Sequence, residues 1–193
     1  MSKKSLFKNF LVIFLILFFA VVSTSAQVPG VKVTIGPQIG FQKATDADEG
    51  KIMFGAAARV HLIVGLTAEA SINYRVESYF NNKVSVKSIP VMISGLIYPL
   101  PIIYGVIGAG WYNTKFDYSS DLNLLGINDE TKQKFGWHFG AGAEIPLGLN
   151  SSNYLTADIR YVFLNYDFKT IPGTGDTNAD FYVITVGLQF GLN

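Results

Sequence analysis

The stretch Leu66-Thr67-Ala68-Glu69-Ala70-Ser71-Ile72-Asn73-Tyr74-Arg75-Val76 alternates without a break. Each even position is apolar and each odd one polar. Successive side chains of a strand point to opposite faces, so this period of two describes a strand with one apolar and one polar face. On a helix Glu69, Asn73 and Arg75 would scatter among the apolar residues. In a soluble sandwich or lipocalin the apolar face packs inward. In a membrane barrel it meets lipid, and the polar face lines the bore.

Outward from this strand the same pattern recurs. Ile52–Leu62 sets Ile52, Phe54, Ala56, Ala58, Val60 and Leu62 against Met53, Gly55, Ala57, Arg59 and His61. Ile63-Val64-Gly65 then reads as a tight three-residue hairpin loop. That loop places Arg59 opposite Glu69, His61 opposite Thr67 and Phe54 opposite Tyr74. An opposite-charge pair on one face and an aromatic pair on the other fit a single register.

Val31–Phe41 alternates too, with Pro37 predicting a bulge or local gap because it offers no ladder donor. Val84–Tyr98 and Ile102–Asn113 read as strands of ambiguous phase, the first expected to break at Pro90. Lys134–Leu147, Tyr154–Asn165 and Phe181–Leu192 alternate cleanly.

Eight strands result, joined by alternating long and short connections. The long ones are Lys43–Lys51, Glu77–Lys83, Thr114–Gln133 and Tyr166–Asp180. The short ones are Ile63–Gly65, Pro99–Pro101 and Gly148–Asn153. Long outer loops with short periplasmic turns belong to transmembrane barrels. Tyr74, Tyr112, Phe135, Phe163 and Tyr182 near the long loops, with Tyr98 and Tyr154 near the short turns, are the expected aromatic girdles.

At the N-terminus Lys3, Lys4 and Lys8 precede the apolar run Phe10–Val22, followed by Ser23, Thr24, Ser25, Ala26 and Gln27. The run is short of the roughly 20 residues a spanning helix needs. It reads as a signal peptide, residues 1–26, cleaved after Ala26. Residues 27–193 then form one barrel domain. With no cysteine there is no disulfide framework and no lipid-modified N-terminal cysteine. The net charge of +1 and the absence of a basic patch argue against nucleic acid. Charged residues make up 15% of the chain, against about 25% in soluble domains.

The polar faces collect Lys32, Arg59, Glu69, Arg75, Glu144, Asp158 and Arg160, with glycine between them. Glycine beside long charged side chains suits the filling of a narrow bore. The fold class is therefore all-β: an eight-stranded antiparallel up-and-down transmembrane β-barrel. In a confined interior unpaired charges are costly, so these seven are expected to form an ion-pair network.

Gly140-Ala141-Gly142-Ala143-Glu144-Ile145-Pro146-Leu147, Leu155-Thr156-Ala157-Asp158-Ile159-Arg160-Tyr161 and Ser88-Ile89-Pro90-Val91 resemble small outer-membrane β-barrel proteins of the OmpA/OmpX type, over about Val31 to Asn193. Family barrels usually end in a terminal aromatic; here Phe190 is followed by Gly191, Leu192 and Asn193. The resemblance implies a Gram-negative outer-membrane location, contact with outer-membrane lipid and lipopolysaccharide, and insertion by the barrel-assembly machinery. A monomer without the family's periplasmic peptidoglycan-binding domain is expected.

Catalytic, cofactor and metal residues are not expected. His61 lies near a short turn, and His138 on the polar face near a long loop has no serine in its own strand. Asp46, Asp48 and Glu49 lack the full spacing of a cation-binding loop. Lys115, Lys132 and Lys169 are candidates for lipopolysaccharide phosphates. The expected function is envelope-structural or surface-interacting through the four loops, with a narrow gated pore and a lipid-modifying enzyme as rivals.

Overall fold

The computed structural model describes residues 31–45, 49–79, 84–118, 130–148, 151–166, 177–178 and 180–192. The predicted signal peptide, Asp46, Asp48 and Lys169 lie outside them. The strands are β1 (Lys32–Ala44), β2 (Lys51–Ile63), β3 (Leu66–Tyr79), β4 (Val84–Ile97), β5 (Ile103–Tyr118), β6 (Glu130–Pro146), β7 (Tyr154–Phe163), β8 (Asn165–Tyr166), β9 (Thr177–Asn178) and β10 (Phe181–Gly191). Eight of them close a barrel in the order β1-β10-β7-β6-β5-β4-β3-β2, all neighbours antiparallel.

The β2–β3 hairpin keeps the predicted register: Phe54 pairs with Tyr74, Arg59 with Glu69 and His61 with Thr67. Its tip is tighter than a three-residue loop. Ile63 pairs with Leu66, the register shifts between His61 and Ile63, and Val64-Gly65 alone makes the turn. The extra residue, Leu62, is absorbed as an irregularity in β2. Gly65 has φ +84°, the left-handed region where a β-carbon is penalised.

The two prolines behave differently from a strand break. Pro90 sits inside an uninterrupted β4 and pairs with Tyr112 of β5. On its other side the β3–β4 pairing skips from Ile72–Val91 to Arg75–Ser88 in the same register. The missing N–H opens the ladder toward one neighbour only, and the expected break does not occur. Pro37 does the same in β1. The β1–β10 pairing lapses between Ile35 and Gln38 and resumes unshifted, a local gap and not a bulge.

Strand lengths are corrected upward. β3 continues through Glu77 to Tyr79, β5 to Tyr118, and β6 begins at Glu130. These residues read as loop because their alternation fades, yet the ladder continues through Phe116–Glu130 and Val84–Tyr118. Beyond the bilayer both faces of a sheet meet water, so backbone pairing persists without an apolar face. Within the predicted loop Tyr166–Asp180, Thr177 pairs with Tyr166 and Asn178 with Asn165, forming a short ribbon.

The ambiguous strands are now phased. Ser88, Pro90, Met92, Ser94 and Leu96 of β4, and Tyr104, Val106, Gly108, Gly110 and Tyr112 of β5, share the inner face, as the Ser94–Gly108 and Leu96–Val106 pairs require. The outer face is apolar and exposed: Ile39, Phe54, Ile72, Ile93, Ile107, Trp137, Ile159 and Val186 are representative. Val33, Ala58, Val60 and Val91 hold outward positions too and are buried.

Ala70 and Ala157 sit mid-strand on the outer face, paired with Ala58 and Val186. Arginine near the bilayer midplane costs roughly 2–4 kcal/mol. Ala70→Arg and Ala157→Arg are each expected to lose that much in urea unfolding from lipid vesicles. Unchanged folding of both variants would invert the inside–outside assignment.

Candidate functional site: the filled lumen

Inward side chains fill the bore in two layers. Toward the short turns the layer is ionic. Arg59 from β2 donates through Nε to Glu69 Oε2 at 2.8 Å. Arg160 from β7 donates through Nη2 to Glu69 Oε1, also at 2.8 Å. One carboxylate therefore bridges two guanidiniums. Arg160 also clasps Asp158, with Nε to Oδ1 at 2.7 Å and Nη2 to Oδ2 at 3.1 Å. Arg59 Nη1 donates to Glu144 Oε2 of β6. Arg59, Glu69 and Arg160 are 1–2% exposed, so these charges depend on one another and not on bulk water.

Two tyrosines complete the layer. Tyr104 accepts from Arg59 Nη2 at 3.0 Å and donates to Asp158 Oδ2 at 3.1 Å. Its ring centroid lies 5.0 Å from the Arg59 guanidinium carbon, within cation–π range. Tyr98, on the turn after β4, donates to Glu144 Oε2 at 3.0 Å. Burial and the Glu144 carboxylate raise its phenol well above the ordinary value, so it remains a donor. Glycine makes room for this packing. A β-carbon at Gly142 would stand 2.6 Å from both Asp158 Cβ and Tyr104 Cζ.

Above the ionic layer, toward the long loops, Met53, Met92, Tyr112, Val162, Leu164, Phe181 and Val183 form a buried apolar cluster inside the bore. Tyr112 packs edge-on against Phe181 at 5.5 Å and points its hydroxyl at Met92 Sδ, 3.5 Å away. It is an interior residue and no part of a girdle. Tyr98 and Tyr154 also leave the predicted girdle, turning to Glu144 and to Lys32. Tyr74 faces outward as expected, as do Phe41, Phe54 and Phe190, and Trp111, Phe135, Trp137, Phe139, Tyr161, Phe163 and Tyr182 are linked ring to ring at 4.8–6.0 Å in the sets Trp111–Phe135–Trp137 and Phe139–Phe163–Tyr161–Tyr182.

Of the seven charges singled out in the sequence, Arg59, Glu69, Glu144, Asp158 and Arg160 come together. Lys32 stands at the mouth, its Nζ 2.8 Å from the Tyr154 hydroxyl. Arg75 faces inward six residues beyond Glu69 on β3, opposite Ser88 and toward the long-loop end. It belongs to a different level of the barrel. Tyr98 and Tyr104 were not foreseen, because the phase of their strands was not legible.

His138 faces inward as expected and has no serine in its own strand, but it does not sit near a long loop. It lies deep in the bore, 1% exposed, with Nε2 2.9 Å from Ser94 Oγ of β4. Ser94 also accepts from Arg160 Nη1 at 3.2 Å. The serine comes from two strands away, which no pattern within one strand reveals. His61 shares a hydrogen bond between Nδ1 and Thr67 Oγ1 at 2.9 Å, and its Nε2 is 3.7 Å from Glu144 Oε1. Glu49 pairs with Lys51 at 3.1 Å. Among the described residues no group of acidic and histidine side chains could hold a metal ion.

A closed antiparallel barrel, apolar outside and filled inside, defines a transmembrane β-barrel of the outer-membrane class. Over residues 11–190 the sequence matches the outer membrane protein beta-barrel domain, and the chain belongs to that family. The fold is similar to a major outer membrane protein of Thermus thermophilus, with TM-score 0.58 and 13% identity over 84% of this chain and 100% of that one. It is also similar to Neisserial surface protein A, with TM-score 0.56 and 13% identity over 83% and 96%. The outer membrane protein OprG of Pseudomonas aeruginosa gives 0.52 and 13% over 85% and 96%. At these identities the likeness concerns the fold alone. No curated protein matches the sequence.

Removing one member of a buried charge cluster costs about 3–5 kcal/mol, because its partners are left uncompensated. Glu69→Ala strands two arginines and is expected to lose that much in urea unfolding from vesicles, with Arg59→Ala also destabilising. The double variant should lose less than the sum. Additive losses would mean that the two side chains do not interact.

Proposed function

We propose that this protein is a closed, non-enzymatic outer-membrane barrel that serves as a rigid anchor and presents its long loops at the cell surface, in an envelope-structural or surface-interaction role. The observation that carries this reading is the double filling of the bore. An ionic layer blocks passage of apolar solutes, and the apolar cluster from Met53 to Val183 above it opposes hydrated ions by excluding water. The signal peptide is cut after Ala26, both termini lie in the periplasm, and the loops between β1 and β2, β3 and β4, β5 and β6, and β7 and β10 face outward. The barrel is a monomer that meets outer-membrane lipid and lipopolysaccharide and is inserted by the barrel-assembly machinery.

The pore reading rests on Glu69, whose two arginine partners offer a route to partner exchange. Opening by that route would still leave the apolar layer in place. The enzyme reading rests on Ser94 and His138. Their burial and the hydrogen bond from Arg160 favour a role as packing stitches, with the hydroxyl held by two neighbours.

In planar bilayers the purified barrel should show no resolved conductance steps, and Arg59→Ala should lose stability while staying closed. Steady unit conductance of the wild type would favour the pore. For topology, cysteine at Asn123 or Gly175 should label in intact cells with an impermeant thiol reagent, and cysteine at Asn150 should not. The opposite pattern would turn the barrel over.

A further inference from the structure

At the long-loop rim the ends of three strands meet in one residue. The β1–β10 ladder stops at Ala44–Phe181, and the β7–β10 ladder at Val162–Phe181. Asp180 lies one step beyond both. On the β1 side its main-chain carbonyl accepts from Thr45 N at 3.0 Å and from Thr45 Oγ1 at 2.9 Å, as a ladder would continue. On the β7 side its carboxylate takes over from the backbone. Oδ1 accepts from Leu164 N at 3.0 Å, and Oδ2 from the Tyr161 hydroxyl at 2.9 Å.

A strand that turns away from its neighbour leaves amides that still need acceptors. Here one ionisable side chain supplies the acceptor, and an ionised carboxylate binds its donors more strongly than a neutral group does. The position is a branch point. From Leu164 the chain runs directly into β8, and β9 ends two residues before Asp180. β8 and β9 pair with each other through Asn165–Asn178 and Tyr166–Thr177. On the inner side, Leu164 and Phe181 both belong to the apolar cluster that fills the bore. Asp180 therefore joins the root of the β8–β9 ribbon to the top of the plug. Neither carboxylate bond belongs to a ladder, so both can open locally while the sheet stays intact.

We propose that the Asp180 carboxylate is a latch at the long-loop rim. Engaged, it ties the root of the β8–β9 ribbon to β7 and keeps Leu164 seated in the apolar cluster. Released, it lets the ribbon move while all eight barrel strands remain paired. The latch is independent of the envelope role proposed above, and so is its test.

Amide hydrogen exchange, followed by NMR on the folded barrel in detergent, reads the latch directly. In Asp180→Ala the Leu164 amide should exchange roughly tenfold faster, the scale of one lost charge-assisted bond. Thr45, bonded to the main chain, and Ile184, inside the ladder, should exchange as in wild type. Trypsin should cut at Lys169, between β8 and β9 in the sequence, faster than in wild type. Tyr161→Phe keeps the ring and removes one of the two bonds, so it should give a smaller change in both readouts. An unchanged Leu164 amide, or unchanged cleavage, would overturn the latch. Faster exchange at Thr45 and Ile184 as well would overturn it too, because Asp180 would then be part of barrel closure. A heat-dependent gel shift reports separately that each variant is folded. If Asp180→Ala fails that control, Tyr161→Phe carries the test, and its silence counts against the latch.

Discussion

Closure of β10 onto β1 is the constraint on which the rest depends. In a bilayer no water is available to the backbone, so every N–H and C=O within the hydrocarbon must find a partner in the chain. An open sheet of eight strands would leave two edges unpaired. The ladder from Thr34–Gly191 to Ala44–Phe181 removes both at once. The prolines show how far the rule bends. Pro37 and Pro90 each forfeit pairing toward one neighbour while the strand and the other ladder continue.

Closure at eight strands makes a bore that side chains can fill. The filling is uneven by design of the sequence. Arginine, tyrosine and histidine reach inward from some strands, and glycine recedes on the facing ones, as Gly142 does beneath Tyr104 and Asp158. Charges in this space stabilise the barrel only as a set. Glu69 shared between Arg59 and Arg160, and Tyr104 between Arg59 and Asp158, tie β2, β3, β5 and β7 together across the interior. The backbone ladders join only neighbouring strands, so these bonds brace the barrel in a direction the sheet does not.

The exterior divides as clearly. The wall from β5 through β6 and β7 to β10 carries two sets of touching rings, Trp111–Phe135–Trp137 and Phe139–Phe163–Tyr161–Tyr182. On the β2–β3 wall the aromatic pair Phe54–Tyr74 lies toward the long loops, and small residues follow it toward the short turn, where Ala58 meets Ala70 and Val60 meets Ala68. Ladder pairing of β5 and β6 continues as far as Phe116 and Glu130.

Residues 66–76 carried the fold because a period of two has one structural meaning, and a chain with so few charges leaves lipid as the partner of its apolar face. The Arg59–Glu69 pair was legible for a related reason: a short hairpin fixes register locally. Strand ends were not, because alternation stops at the membrane surface while hydrogen bonding does not. The phases of β4 and β5 were lost to glycine and proline, and with them the inward turn of Tyr104 and Tyr112. What only the tertiary structure decided is which charges meet. Glu69 and Arg160, or Ser94 and His138, lie on strands that are not neighbours, and they touch across the bore. Local pattern sets which way a side chain points, but closure and stagger of the barrel set what it finds there.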